Sequence, residues 1–382
     1  MSTAAAFSIA LILASYLLYP IWLRIRVRLR PRPWKQAAVT MPVTVVLSAH
    51  NEAMRLEARL GNLRSMHGAE LLQEIIVVLD GCSDGSAGLL AELAGRWKRS
   101  NGPKLTIIEQ PRAGKSMALN RAMGEVGTPI VLFADARQTF DADVITLLLE
   151  NFADPSVGAV SGALCFSGSG DEAAGLYWQL EKSIRHCQAL TGSVMGATGA
   201  IYALRRELFL PLRPDELVDD LATPLAVIAQ GYRVVFDERA RAWDEPSTDH
   251  HREWLRKVRT LTGVWQALPL VWRLVRSGYG GDACRFAAHK GSRLLVPWAL
   301  LALLLSSLLA GGAWTLFGLL QLLGYLLVAV AHKVAVLRQL PLVSTGYFFV
   351  LLNLAAAKAL WLAWSGGGRQ VWTSLPTGGR SS

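Results

Sequence analysis

The residues of this chain best suited to chemistry are acids that end apolar runs. In Ile130-Val-Leu-Phe-Ala-Asp135, five apolar residues lead to one carboxylate. Strands of parallel sheets are apolar throughout, and open α/β sheets bind ligands at the carboxyl ends of their strands. An acid there can hold a divalent cation against a diphosphate, or it can simply cap a turn. Asp80 closes the run 75–79 in the same way. It can accept hydrogen bonds from a nucleoside, or form an Asx turn with Gly81. Lys115 opens a helical pattern after Gly114, where free N–H groups and the helix dipole suit a phosphate; a solvated lysine is the plainer reading. Asp219 and Asp220 stand side by side at a helix start. They either complement the dipole or raise one another's pKa, as a general base requires.

Two nucleotide motifs are excluded. Gly114-Lys115-Ser116 mimics a phosphate-binding P-loop, but Glu109 stands where the first glycine is needed. No GxGxxG follows the first apolar run, which argues against a nicotinamide dinucleotide site.

The elements that must position these acids alternate. Strands are expected at 43–48, 74–79, 104–109 and 129–134, with helices at 51–66, 84–99 and 115–125 between and before them. This order predicts an α/β fold with a mostly parallel sheet and crossover helices. Beyond it the pattern predicts a helix at 141–152, a strand at 158–166 and a helix at 172–190. A glycine-rich loop at 192–199 leads to a strand at 200–204. A helix at 221–230, a short strand at 232–236 and a basic helix at 250–260 follow.

The chain has 382 residues, of which 52% are hydrophobic, with a mean hydropathy of +0.31. A soluble domain joined to membrane spans accounts for both figures. The four cysteines are scattered, without zinc or disulfide spacing. Residues 1–23 carry no charge and are followed by Arg24, Arg26, Arg28, Arg30, Arg32 and Lys35. That is the reverse of a cleaved signal peptide, and it predicts an anchor whose basic side faces the cytoplasm. The uncharged stretch 294–331 is too long for one bilayer helix and predicts two spans turning at Gly311-Gly312, with a further candidate at 339–357. The net charge of +10 crowds both membrane flanks, which favours lipid headgroups over nucleic acid as the partner.

Several stretches, in their order and spacing, resemble family-2 glycosyltransferases, which have the GT-A nucleotide-sugar fold. They are Pro42-Val-Thr-Val-Val-Leu-Ser-Ala-His-Asn-Glu52, Ile75-Ile-Val-Val-Leu-Asp-Gly-Cys-Ser-Asp-Gly85, Gly114-Lys-Ser-Met-Ala-Leu-Asn120, Phe133-Ala-Asp-Ala136, Gly196-Ala-Thr-Gly-Ala-Ile-Tyr-Ala-Leu-Arg205 and Val218-Asp-Asp220. With flanking spans, the chain is similar to the membrane-bound synthases of that family, the cellulose, hyaluronan and chitin-oligosaccharide synthase group. The resemblance implies that Glu52 and Asp80 contact the nucleoside and Lys115 the diphosphate. It implies that Asp135 is the first acid of the DxD metal motif, for Mg²⁺ or Mn²⁺. Asp220, beside Asp219 in the substrate site, becomes the base that deprotonates the acceptor hydroxyl, giving inversion. Gly196 and Gly199 border the acceptor.

Two departures stand out. Arg137 replaces the second DxD acid; it cannot ligate a metal but can contact the diphosphate itself. The metal then leans on Asp135 plus another ligand, with His250 and His251 as candidates, or metal dependence is weak. The QxxRW motif of processive synthases is also missing around Arg256-Lys-Val-Arg259, where Trp254 and Trp265 are the flanking aromatics.

The expected organisation is an N-terminal span at 1–23, a basic linker at 24–41, a GT-A domain at 42–266, a basic interfacial segment at 267–293, and two or three C-terminal spans within 294–364. The expected activity is transfer from a nucleotide sugar, a UDP-sugar first, to a lipid-linked or growing saccharide, by a multi-pass protein of the cell membrane with its catalytic domain in the cytoplasm. The alternatives are a polyprenyl-phosphate sugar transferase and a catalytically silent nucleotide-sugar-binding partner of a synthase.

Overall fold

The structure is a computed structural model that describes residues 3–99, 102–167, 172–245 and 250–365. Its centre is an eight-stranded sheet in the order β3-β2-β1-β4-β7-β6-β8-β5. The strands are β1 (Val43–Ala49), β2 (Leu72–Asp80), β3 (Lys104–Gln110), β4 (Ile130–Ala134), β5 (Thr139–Phe140), β6 (Val157–Phe166), β7 (Ile201–Arg205) and β8 (Arg233–Asp244). The first four run parallel, with Val43 beside Ile130 and Leu47 beside Ala134. All five residues of β4 are buried, as a strand covered on both faces must be. Asp80 ends β2 and Asp135 follows β4, so both acids stand at the carboxyl edge of the sheet.

The far half of the sheet is mixed. β7 runs antiparallel to both β4 and β6, while β8 lies parallel to β6 and antiparallel to β5. β8 is longer than the expected 232–236. The charged run Asp237-Glu-Arg-Ala-Arg241 ends the apolar pattern, but Arg239 folds back onto Asp237 (Nη2 to Oδ2 2.8 Å) and Glu150 (3.1 Å), and the strand continues to Asp244.

Among the described residues, four helices are long and apolar enough to cross a membrane: Thr3–Leu29, Gly280–Leu309, Ala313–Lys333 and Pro341–Trp364. The middle two meet at Gly311-Gly312, both with positive φ. The first runs on through Arg24, Arg26 and Arg28 rather than ending at Leu23, and the second starts fourteen residues before the uncharged stretch. The segment 267–293 is therefore a short helix, Leu268–Arg276, followed by the opening turns of a long one. Part of its basic charge is turned inward rather than toward headgroups. Arg285 is buried and donates to the carbonyls of Thr191 and Gln188. Composition cannot distinguish such internal ties from solvated bases.

Candidate functional site

Asp80 organises the loop that precedes Lys115. Its Oδ1 accepts from Gln110 Nε2 (2.8 Å) and Ala113 N–H (2.7 Å), and its Oδ2 from Gly114 N–H (2.9 Å). The carboxylate thus reaches across to the segment before Lys115 and forms no Asx turn with Gly81. A carboxylate offers about four acceptor positions, and internal donors take three of them here. Gly81 is required at its turn: φ is +66°, and a Cβ there would lie 2.7 Å from Arg112 Cβ. The neighbouring His50 Nδ1 is 2.6 Å from the Asp80 carbonyl oxygen, so Nδ1–H donates and Nε2 accepts from Arg112 Nη1 at 3.0 Å.

The helix Lys115–Glu125 brings Lys115 between two acids. Its Nζ is 3.1 Å from Asp135 Oδ1 and 3.3 Å from Asp219 Oδ1. Burial alone would lower this lysine's pKa, but Asp135, Asp219 and Asp220 outweigh it and hold the amine above its usual value. The helix itself is fixed by Asn120, which receives Leu212 N–H and donates to the Leu212 carbonyl, both at 2.8 Å.

Asp219 and Asp220 lie in the first turn of the helix Asp219–Ala229. Asp219 also accepts from Tyr202 O–H at 3.3 Å, and Tyr202 stacks on Phe133 of β4. Asp220 Oδ2 accepts from Gly199 N–H at 2.8 Å, while its backbone carbonyl accepts from Ala197 N–H at 2.7 Å. A Cβ on Gly199 would lie 2.8 Å from Asp220 Oδ2, so only glycine lets the loop approach this closely. Burial pushes the Asp220 carboxyl above the usual aspartate range, Asp219 adds to this, and Lys115 and Arg185 pull it back in part. A rise is the direction in which a carboxylate general base is tuned.

Arg137 turns away from this group. Its Nη2 pairs with Asp244 at 2.9 Å, and Gln138 Nε2 donates to the same oxygen at 2.7 Å. The register of β5 on β8, Thr139 opposite Trp243, brings these residues together. Arg59 approaches Asp135 instead: its Nε donates to the Asp135 carbonyl at 3.1 Å and its guanidinium lies 3.8 Å from the Phe140 ring centroid. Burial lowers the Arg59 pKa to about 9 against the pull of Asp135, and its Nη2 is buried with no partner among the described residues.

Among the described residues, no group of three or more His, Cys, Asp or Glu can hold a metal. Mg²⁺ at nucleotide sites is usually held by one or two carboxylates, with substrate phosphates and water completing the shell. Asp135 is partly exposed, and Lys115 occupies only Oδ1, so its other oxygen fits that minimal set. His250's side chain lies outside the described residues, as do the side chains of 172–176.

Lys115, Asp135, Asp219, Asp220 and Gly199 therefore come together, and Asp80 joins them through the 113–115 backbone. Gly196 (φ +149°) lies against the same helix start: a Cβ there would be 3.5 Å from the Asp220 carbonyl oxygen. Glu52 pairs with Arg55 at 2.5 Å, and its segment is tied to the 82–84 turn by Ala53 N–H to Asp84 Oδ2 (2.8 Å) and Ser83 N–H to Asn51 Oδ1 (2.9 Å). A cleft of about 690 Å³ lined by Met41, Thr128, Arg205 and Phe209 opens at the other end of β4 and contains none of these acids.

Sequence reasoning missed Arg59, Tyr202 and Asp244. A signal existed for Arg59, because it sits in the buried stripe Leu56, Leu60, Leu63, where a charged residue needs an internal partner. Tyr202 and Asp244 carry no comparable signal.

A mixed sheet whose parallel half gathers acids and a lysine at its carboxyl edge is an α/β domain with the GT-A type of core. Residues 44–211 match the family model described as Glycosyl transferase family 2. It is 29% identical over 209 residues to an N-acetylglucosaminyltransferase of Rhizobium meliloti, covering 49% of each chain. It is 24% identical over 242 residues to the probable glycosyltransferase YdaM of Bacillus subtilis, covering 60% of this chain and 57% of that one. The chain thus spans about half the length of the curated relatives it matches. Over 94% of its length and 99% of the other's, it is similar to a solved mannosyltransferase from Pyrobaculum calidifontis in complex with GDP-Man and Mn²⁺, with a TM-score of 0.68 and 23% identity. At that identity the likeness is one of fold.

Proposed function

We propose that this protein is a membrane-anchored, inverting glycosyltransferase of the cell membrane, with its catalytic domain in the cytoplasm. It moves a sugar from a nucleoside-diphosphate sugar to a hydroxyl of a lipid-linked or growing saccharide, in the manner of the synthase group that it resembles. The observation that carries this reading is Asp220: a half-buried carboxylate with a raised pKa, held by Gly199 N–H at the end of the Lys115, Asp135 and Asp219 cluster.

In the proposed reaction the acceptor oxygen attacks the anomeric carbon, its proton passes to Asp220, and the bond to the diphosphate breaks on the opposite face. Lys115 and the helix start behind it bind the leaving diphosphate. Asp80 and Glu52 orient the nucleoside. Gly196 and Gly199 leave room for the acceptor. A Mg²⁺ or Mn²⁺ held by Asp135 would supply further positive charge to the diphosphate.

The test is Asp220→Asn. Turnover is expected to fall about 10²-fold or more, the scale of a lost general base, with nucleotide affinity nearly unchanged. Equal loss of binding and turnover would make Asp220 a structural residue of the helix start. For the topology, a cysteine at exposed Glu92 should be labelled by an impermeant reagent only when the cytoplasmic side is open.

A further inference from the structure

The proposed acceptor side holds a lysine, Lys290, that makes no hydrogen bond or ion pair with a described side chain. The loop 192–199 lies against two helices, Glu172–Ala189 and Gly280–Leu309. Arg185, on the first, donates to Thr198 Oγ1 at 2.6 Å. The second contains one π-helical turn, Ala287–Gly291, carrying His289 and Lys290. Such turns re-aim side chains and are frequent at functional sites. Here His289 is buried, with Nε2 3.3 Å from Glu181 Oε2. Lys290 runs beside the glycine loop: a Cβ built on Gly196 would lie 3.5 Å from Lys290 Cε, as close as it would lie to the Asp220 carbonyl oxygen.

Lys290 is half-buried and makes no hydrogen bond or ion pair with any described residue. The charges that face it are Arg185, Glu181, Arg293 and Asp220. Glu181 is already engaged by His289 and Arg293, and Asp220 receives Gly199 N–H. Arg293 itself keeps Nε and Nη2 buried without partners among the described residues. Desolvated cations without a counter-charge are unfavourable, and a bound anion relieves them. From Lys290 the helix reaches the uncharged stretch at Leu294 within about 6 Å of rise, at 1.5 Å per residue. An anion on Lys290 could thus carry an apolar chain along that helix.

We propose that Lys290, supported by Arg185 and Arg293, binds the phosphate of a phosphate-bearing lipid acceptor beside Asp220. This rests on the glycosyl-transfer reading and names the acceptor class for the same site.

The probe is farnesyl phosphate, titrated into the detergent-solubilised full chain against farnesol and inorganic phosphate, with binding followed by calorimetry. Farnesyl phosphate is expected to bind at least about tenfold more tightly than either control, the scale of a charge-assisted contact. Lys290→Met should weaken it about tenfold, and Lys290→Arg should recover most of the loss. Nucleoside diphosphate binding should stay unchanged in both variants, which reports an intact fold. Farnesol binding equally well would leave only an apolar surface, and inorganic phosphate binding equally well would mean a free-anion site; either overturns the proposal. So would unchanged farnesyl phosphate affinity in Lys290→Met. The wild-type comparison decides the matter even if the variant does not fold.

Asp220→Asn separates this from the reading it rests on. If turnover falls in Asp220→Asn but farnesyl phosphate does not bind, only the present inference fails. If farnesyl phosphate binding depends on Lys290 yet Asp220→Asn remains active, the phosphate oxygen itself is the nucleophile, and the hydroxyl-acceptor reading fails instead.

Discussion

In the region proposed to bind the donor, Asp80, Lys115 and Asp135 come from strand ends and a helix start, and each is held by backbone or side chains beside the parallel half of the sheet. In the region proposed to bind the acceptor, Asp220, Arg185 and Lys290 come from three helices far apart in the chain, gathered around a glycine loop. The first arrangement repeats one rule, an apolar run that ends on a functional group. The second depends on which helix packs against which loop. Charges placed by a repeated local rule can be found by reading along the chain, whereas charges placed by packing cannot.

The largest expected effect lies on the donor side. Asp135→Ala removes the acid that faces both Lys115 and the expected cation. Activity should fall about 10²–10³-fold, the scale of losing one electrostatic contact to developing charge. A variant that retains full activity, in a wild type that also works in excess EDTA, would reduce Asp135 to a turn cap. The comparison would then have no donor side.

Gly199→Ala is the corresponding break on the acceptor side. The added methyl would sit 2.8 Å from Asp220 Oδ2, too close for either group to stay in place. Displacing a catalytic group by about 1 Å can cost on the order of 10²-fold in rate. Turnover should drop on that scale while nucleotide affinity holds. Wild-type turnover in a folded Gly199→Ala would show that Asp220 is not held by this loop.

The same contrast explains what was legible. The four parallel strands, the crossover helices and the strand-end acids all followed from period and apolar runs, because a parallel strand leaves no choice of face. The short β5 and the second half of β8 did not, since charged Asp237 to Arg241 end the apolar pattern and only the structure shows Arg239 closing on Asp237 and Glu150. Arg137 was recognised as the odd member of the metal motif, but its partner Asp244 lies 107 positions away and only the β5–β8 register reveals it. Arg285 reads as one of the headgroup-facing bases by composition and is in fact a buried internal tie.

Arg137→Asp sharpens the donor side with a smaller effect. The new acid would stand beside Asp244, whose charge Arg137 now balances at 2.9 Å. Two carboxylates in place of an ion pair favour a bound cation. Calorimetric Mn²⁺ affinity in the presence of nucleoside diphosphate should increase, and the variant should remain active. Unchanged metal affinity would detach Arg137 and Asp244 from the diphosphate site altogether.

The smallest effect tests the residue that the two sides share. Asp219 faces Lys115 on the donor side and raises the pKa of Asp220 on the acceptor side. Burial is the larger cause of that rise, and Lys115 and Arg185 oppose it. A general base works ionised, so kcat/KM rises with pH through the pKa of free-enzyme Asp220. Asp219→Asn removes a charge that raises this pKa and leaves Lys115 less neutralised, so that its lowering pull on Asp220 grows. Both changes have the same sign, and the acid limb should move to lower pH. The plateau should fall less than in Asp220→Asn, because the base itself remains. An acid limb that stays put or moves up while Asp220→Asn is inactive would mean that the limb belongs to another group. The two sides of the cleft would then be joined by Lys115 alone.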